Sequence, residues 1–402
     1  MNKKNLINLR LFVAALFMGV LSLTSPDVIS NAKTNIPNVI VANIEELYTA
    51  VNDPQNAGSE INIAPGVYML SVYDPMGAPR PNGGRLELQQ DMSLLDVVGD
   101  RGAVTIDAND LPASSFNAPP VPLTAAIRMG RGSNSIQWLT ARNATHGNAN
   151  IGTDLPSTDT VNIRVMHVAS TNSQRGLDIR NFGAGRAGRL IEAEIVDNDL
   201  YFNQIGLQGE GLRIVNNNHA DGARVTARLS GNRSYNNYLG LLIEDNGSSN
   251  AVISVVSTGD QFNENGNGAV VGGGLSQGTN VANGNTVSFS AAGSSFLNNN
   301  GFNNFDHGGL VIIGGENTSF PNGTSNNNVS VSLAGCRLSN NQLYDLAGIG
   351  ARSNPETIGP PGTNNHVIIT RRGASVSRLV QFFVNCIPDL PELMNTVTVN
   401  GR

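Results

Sequence analysis

Five short runs of this chain alternate apolar and polar residues, and each leads into the same kind of corner. LIEAEIV, RVTARLS, AVISVVST, TVSFSAA and VSVSLA precede DNDLYFN (Asp197 to Asn203), GNRSYNN (Gly231 to Asn237), GDQFNEN (Gly259 to Asn265), GSSFLNN (Gly293 to Asn299) and GCRLSNN (Gly335 to Asn341). Counting back two, four and six residues from each corner gives Ile191/Ala193/Ile195, Val225/Ala227/Leu229, Ile253/Val255/Ser257, Val287/Phe289/Ala291 and Val329/Val331/Leu333. Only Ser257 in these sets is polar. A period of two kept in register over five copies predicts strands with one buried face. Recurrence at roughly thirty to forty residues predicts a solenoid, because one coil cannot bury its own stripe and must stack on the next.

Stacking puts the closing Asn of each copy in a column: Asn203, Asn237, Asn265, Asn299 and Asn341. An Asn amide has donors on one side and an acceptor on the other, so the column can hydrogen-bond along the axis. Asn also tolerates the left-handed backbone of a sharp corner. This pattern assigns the Asn richness to structure.

Upstream, Asn43-Ile44-Glu45-Glu46 reads as an N-cap with an acidic first turn. Ile44, Leu47, Tyr48 and Val51 share the helical face that follows. Such a helix, about 43–52, would cover the open end of the stack. Residues 1–32 read as a signal peptide, with Lys3, Lys4 and Arg10 before the apolar LFVAALFMGVLSL and small residues before Lys33. The rest, 33–402, reads as one domain, with coils over about 60–375 and a C-terminal cap over about 376–402. The expectation is a secreted, periplasmic or cell-surface protein with no membrane insertion after cleavage.

The capping helix, the strand INIAPGVY, LELQQDMSLLDVVGD and AVTIDA together resemble the entry of the right-handed parallel β-helix superfamily, which includes pectate, alginate and chondroitin lyases and polygalacturonases. The resemblance spans Asn43 to about Thr398. It implies an all-β fold, a right-handed parallel β-helix, and a polysaccharide partner. No specific enzyme family is matched. The polygalacturonase motifs are missing apart from the faint echo Asp306-His307-Gly308, and the Trp-Ile-Asp-His stretch of the best-known pectate lyases is absent. The later repeats hold no lysine, which leaves Arg or His as the base of a lyase reaction.

A second strand follows each Asn corner: RGLDIR, IGLQGEG, LGLLIED, GAVVGGG and GGLVIIGG. Aligned on the Gly before the first apolar residue, they put Arg180, Glu210 and Glu244 on one outer face, with Asp178 beside Arg180. These four are the catalytic candidates. Arg128, His146, Asn150 and Asp154 are candidate substrate-binding neighbours. Adjacent Glu210 and Glu244 would repel and raise one carboxyl pKa. They would suit an acid/base pair for glycoside cleavage or an oxygen-ligand site for Ca²⁺. An arginine would neutralise a uronate carboxylate and so acidify the neighbouring C–H. The bland alternative is a surface ladder in which Arg180 pairs with Glu210.

The net charge of −6 and the scattered Arg residues give no basic stripe, so no nucleic-acid partner is expected. Cys336 and Cys386 form either one disulfide or two buried thiols. The functional expectation is an exported protein that binds, and processes, an extended acidic polysaccharide, with β-elimination favoured over hydrolysis. The competing reading is a non-catalytic surface or adhesion protein, supported by the bland later faces at Val270, Gly272, Val311 and Ile313. A cleft with Arg180 and Glu210 at its floor, walled by loops 74–84, 111–122 and 143–159, would favour the enzyme. A fully exposed Arg180 would favour the structural role.

Overall fold

The alternating runs form the first of three parallel sheets. A computed structural model describes residues 37–117, 123–157, 160–204, 209–276, 280–300, 308–317, 324–353, 362–385 and 394–401. The expected signal peptide, Asp306, His307 and Cys386 lie outside these residues. Among them, twelve strands form the first sheet, from Asn38–Val41 to Thr396–Asn400. Ten short strands such as Asp199–Tyr201 form the second, and eleven such as Arg175–Phe182 form the third. Each coil visits the three sheets in that order, and every ladder between successive coils is parallel. The chain is a right-handed parallel β-helix.

The predicted inward sets hold without exception. Ile191 stands opposite Val225, and Val225 opposite Ile253. All fifteen positions are buried, Ser257 among them, its hydroxyl donating to Asp260 at 2.6 Å. The apolar ones join one continuous core.

The Asn column forms as expected. The Asn203 N–H donates to Asn237 Oδ1 at 2.9 Å, Asn237 Nδ2 to Asn265 Oδ1 at 3.1 Å, and Asn299 Nδ2 to Asn341 Oδ1 at 2.9 Å. Each of these bonds points toward the C-terminal coil, while Nδ2 also donates back to a carbonyl of the preceding coil, as Asn265 does to Ser234 O. Asp345 closes the column by accepting from Asn341 at 2.9 Å, and a carboxylate, which only accepts, is a natural terminus. Two further columns escaped the sequence reading. Asn198–Asn232–Asp260 lines the corner before the second sheet, and Asn285–Asn327–Asn365–Asn395 the corner before the first.

The residue that opens each corner is left-handed. In register, Trp138, His167, Asp197, Gly231, Gly259, Gly293 and Gly335 all have positive φ. Glycine adopts this at no steric cost, whereas the three earlier residues are held there by contacts. Trp138 stacks on His167 at 3.8 Å, His167 Nδ1 lies 2.8 Å from Asp197, and Arg101 reaches Asp197 at 2.9 Å.

Helix α1 (Ile44–Asn52) caps the first coils. Asn43 accepts from the Glu46 N–H at 3.0 Å, and Leu47, Tyr48 and Val51 are buried. Arg80, from the 74–84 loop, lies 4.1 Å over the Tyr48 ring and pairs with Glu45. That loop therefore packs on the cap and does not wall the cleft described below. At the other end the coils run on past Val376, because Leu379–Asn385 extends the third sheet and Thr396–Asn400 the first. Cys336 is a free, buried thiol. No helix among the described residues is long and apolar enough to cross a membrane.

Candidate functional site

The outer face of the third sheet carries the charges, in a register that differs from the one expected. Arg175–Phe182 pairs with Glu210–Asn217, which pairs with Leu239–Asn246. Glu210 stands opposite Arg175, Arg213 opposite Asp178, and Val215 opposite Arg180. The strand paired with Arg175–Phe182 is thus Glu210–Asn217, and Leu212 and Ile214 point into the core; the expected inward Leu207 lies outside the described residues. Arg180, Glu210 and Glu244 do not form one column. Neither does Arg180 pair with Glu210.

Glu210 and Glu244 also fail to meet. Glu210 pairs in register with Leu239, and Glu244 lies five residues further along that strand. At ~3.3 Å per residue the two columns are roughly 16 Å apart along the sheet. The Ca²⁺ site that adjacency would have made is therefore not formed. Each carboxylate has a different neighbour instead.

Arg175 Nε lies 2.7 Å from Glu210 Oε2, close but too bent to count as a hydrogen bond. Burial pushes the Glu210 carboxyl up, with Arg175 and Arg213 pulling the other way. Glu244 is pushed up to about 8, first by burial and then by Glu316, so it is largely protonated at neutral pH. Its side chain fills the space left by Gly272, where a Cβ would lie 3.0 Å from Glu244 Oε1. Glu316 itself is held by Arg352 at 2.5 Å.

Asp178 sits beside Arg180, as expected, with Arg180 Nε 3.1 Å from Asp178 Oδ2. Asp178 also accepts from Asn148. Arg180 Nη2 lies 3.3 Å from Asp154, and Arg128 Nε donates to Asp154 at 2.6 Å. Burial would raise the Asp154 carboxyl, but Arg128 and Arg180 hold it below its usual value. Arg128 and Asp154 thus belong with Arg180, but as its buried support.

Asn150 and His146 are not part of this group. Asn150 is wholly buried, accepts from the Ala144 N–H at 3.0 Å, and donates to Ser170 Oγ at 3.0 Å and Thr171 O at 2.9 Å. All its capacity is spent on the stack. His146 is exposed on its loop, outside the cleft.

A cleft of 420 Å³ runs over this face, lined by Arg175, Arg180, Glu210, Arg213, Glu244 and Arg352 among others. Asn148 lines it from the expected 143–159 loop, and Leu123 lines it just past the 111–122 loop. Arg180 is 3% exposed, so it is not the surface residue of a smooth cylinder. The later face is not bare either: Val311, Ile313, Ala347 and Ile349 form a small buried cluster, with Val270 packed against it. A larger groove of 550 Å³ crosses the outer face of the first sheet, but its floor is Ser, Asn and Gln with an exposed Arg164–Glu194 pair, and nothing in it is set up for chemistry.

The residue the sequence reading missed is Arg213. It is 6% exposed, its Nε has no hydrogen-bond partner, and its nearest carboxylate contact is Asp178 at 4.0 Å. Burial and Arg175 pull its pKa down to about 10. The signal was the EGLRIV alternation itself, with Arg213 between two inward residues.

No model of a known protein family matches the chain, and no curated protein matches it in sequence. Among solved structures, the fold is similar to pectate lyase Pel9A, at 14% identity over 85% of this chain and 78% of that one, with a TM-score of 0.43. It is also similar to the A-module of the Azotobacter vinelandii mannuronan C-5 epimerase AlgE4, at 13% identity over 91% of this chain and 98% of that one, with a TM-score of 0.40. The Streptococcus pneumoniae surface protein and adhesin PfbA matches at 11% identity over 89% of this chain and 96% of that one, with a TM-score of 0.36.

Proposed function

We propose that this is an exported protein that binds an extended acidic polysaccharide in the third-sheet cleft and cleaves it by β-elimination. The observation that carries the reading is Arg213, a buried guanidinium lining the cleft without a matched carboxylate. Leaving such a group unpaired is costly, and a uronate carboxylate would satisfy it with a charge-assisted bond. Arg180, one column along, would share that carboxylate.

Neutralising the carboxylate makes the adjacent C–H acidic. Glu210 stands in the same cleft, its carboxyl made more basic by burial, with Arg175 and Arg213 pulling the other way. It would remove the proton. The C–O bond to the leaving sugar then breaks, a C=C bond forms, and Glu210 returns the proton to the departing oxygen. One side chain suffices for this sequence. Hydrolysis needs two carboxyl groups about 5–9.5 Å apart, whereas the register offsets the backbone positions of Glu210 and Glu244 by roughly 16 Å along the sheet. Glu244, neutral and further along the cleft, is assigned to hydrogen-bonding another sugar of the same chain.

The test is a screen of the protein lacking residues 1–32 on pectate, alginate, chondroitin, hyaluronan and neutral glycans, with and without Ca²⁺. Ultraviolet absorbance of unsaturated products that vanishes in Glu210→Gln and Arg213→Met supports the reading. New reducing ends without absorbance would mean hydrolysis. Silence on every substrate, with retained binding, would leave a non-catalytic glycan-binding protein.

A further inference from the structure

Behind the cleft, the loop that leaves the third sheet carries two arginines that the proposed reaction does not use. Arg186 is 5% exposed and Arg189 is 1% exposed, the largest of the fully buried side chains. Arg186 Nη2, Arg189 Nε and Arg189 Nη1 have no hydrogen-bond partner. The only hydrogen bond of the Arg189 side chain among the described residues is a long one, from Nη2 to Gly130 O at 3.3 Å. Gly130 makes that approach feasible, since a Cβ there would lie 2.8 Å from Nη2.

The nearby carboxylate is already committed. Asp154 receives Arg128 Nε at 2.6 Å, Arg180 Nη2 at 3.3 Å and the Ala125 N–H at 2.9 Å. Its field still reaches Arg186 and Arg189, but Arg128 and Arg180 repel Arg186, and Arg186 repels Arg189. Burial is the larger cause and, with Arg186, brings Arg189 down to about 10, which still leaves it charged at neutral pH. Two cations are thus held out of water, without an ion pair among the described residues, beside Arg128 and Arg180, which share Asp154 and are further paired with Glu87 and Asp178. An isolated buried charge costs several kcal/mol, and a fold does not keep two of them together without a counter-ion. The loop that carries them lies at the surface, with Gly185 and Gly188 exposed and no atom within 4 Å of a Cβ built at either.

We propose that Arg186 and Arg189 form an oxyanion site separate from the cleft, taking a phosphate, sulfate or carboxylate group through the guanidinium N–H groups that are now unmatched. The ligand chemistry follows from the donors: forked, planar and fixed in charge, they suit two oxygens of one anion. The site has a structural consequence. A bound anion ties the loop after the third sheet to the coil of Gly130 and Asp154, and so fixes the support of Arg180.

The test is thermal unfolding of the full-length chain at constant ionic strength, titrated with inorganic phosphate, sulfate or galacturonate, and with chloride as control. A specific site gives a saturable rise in Tm, roughly 3 °C at a hundredfold excess over Kd. Arg186→Gln and Arg189→Met should each abolish the rise. Arg189→Met should also melt higher than the native protein in the absence of oxyanion, because it removes a buried unmatched charge. Saturation by phosphate or sulfate alone identifies an inorganic anion, and saturation by galacturonate alone a sugar carboxylate. A rise that never saturates, or that persists in both variants, overturns the proposal. Neither variant removes a residue that lines the cleft, and the readout is anion-dependent melting, so the outcome does not depend on whether the cleft is a lyase site.

Discussion

Arg175 and Glu210 face each other on adjacent strands, with Nε 2.7 Å from Oε2 and both side chains buried. This pair, and not Arg180 with Glu210, sets the charge on the carboxylate at the cleft. Arg175→Met strands a carboxylate in the interior and should cost about 3–5 kcal/mol. Adding Glu210→Leu should recover most of that loss, because it is the unmatched charge that is expensive. Denaturant unfolding of the single and double variants checks this. A double variant no more stable than Arg175→Met would mean that packing, not charge, dominates.

The Asn column makes a second prediction. Asn265 Oδ1 accepts from Asn237 N and Nδ2 at 3.0 and 3.1 Å, and Asn265 Nδ2 donates to Ser234 O at 2.8 Å. Asn265→Ala leaves the Asn237 N–H unmatched, while Asn237 Nδ2 keeps Leu200 O and Ser234 Oγ, and Ser234 O keeps the Asn263 N–H. The stack should lose about 1–3 kcal/mol, the cost of one unmatched buried donor, read as a lower denaturation midpoint. A loss under about 1 kcal/mol would show that water replaces the amide.

Gly259 isolates the conformational term at a corner. Its φ is +66°, and nothing lies within 4 Å of an added Cβ. Gly259→Ala should therefore cost only the left-handed penalty, about 1–2 kcal/mol. Gly231→Ala and Gly293→Ala have the same geometry and should match it. Unequal losses from the three would place the strain elsewhere.

The stack was legible because it obeys two rules at once. Alternation named Ile191, Val225, Ile253 and their equivalents as core, and the closing Asn at a fixed offset kept the copies in register. The cleft was misread at one position. Gly206 lies three residues after Asn203, just as Gly240 lies three after Asn237, so it looked like the anchor of the next strand. The true equivalent of Gly176 is Gly211, reached by a longer connection. That slip of five residues moved Glu210 onto Arg180 and hid Arg213. Burial of Arg180 and Val311 was invisible for a different reason: outward residues on a strand look alike whether water or protein lies over them. Nor does period two foresee three-dimensional partners such as Arg128 for Asp154, or Glu316 for Glu244.

Glu244 gives the last prediction, in pH. Its folded pKa is pushed up to about 8, and burial raises those of Asp245, Asp260 and Glu210 as well. In the unfolded chain these groups titrate near 4. The folded state therefore holds more protons over that interval, and stability falls as pH rises from about 4 to about 8. Asp154, whose carboxyl is held down, works the other way, but only at the acidic end of this range. The net expectation is a higher Tm at pH 5 than at pH 8.5. Glu244→Gln keeps the neutral shape and removes the titration, so it should lose part of the slope and gain stability mainly on the alkaline side. If the native Tm is flat between these pH values, or Glu244→Gln leaves the slope unchanged, Glu244 is solvated or neutralised by Arg213 and Arg352. Its assignment as a neutral hydrogen-bonding group in the cleft would then fall with it.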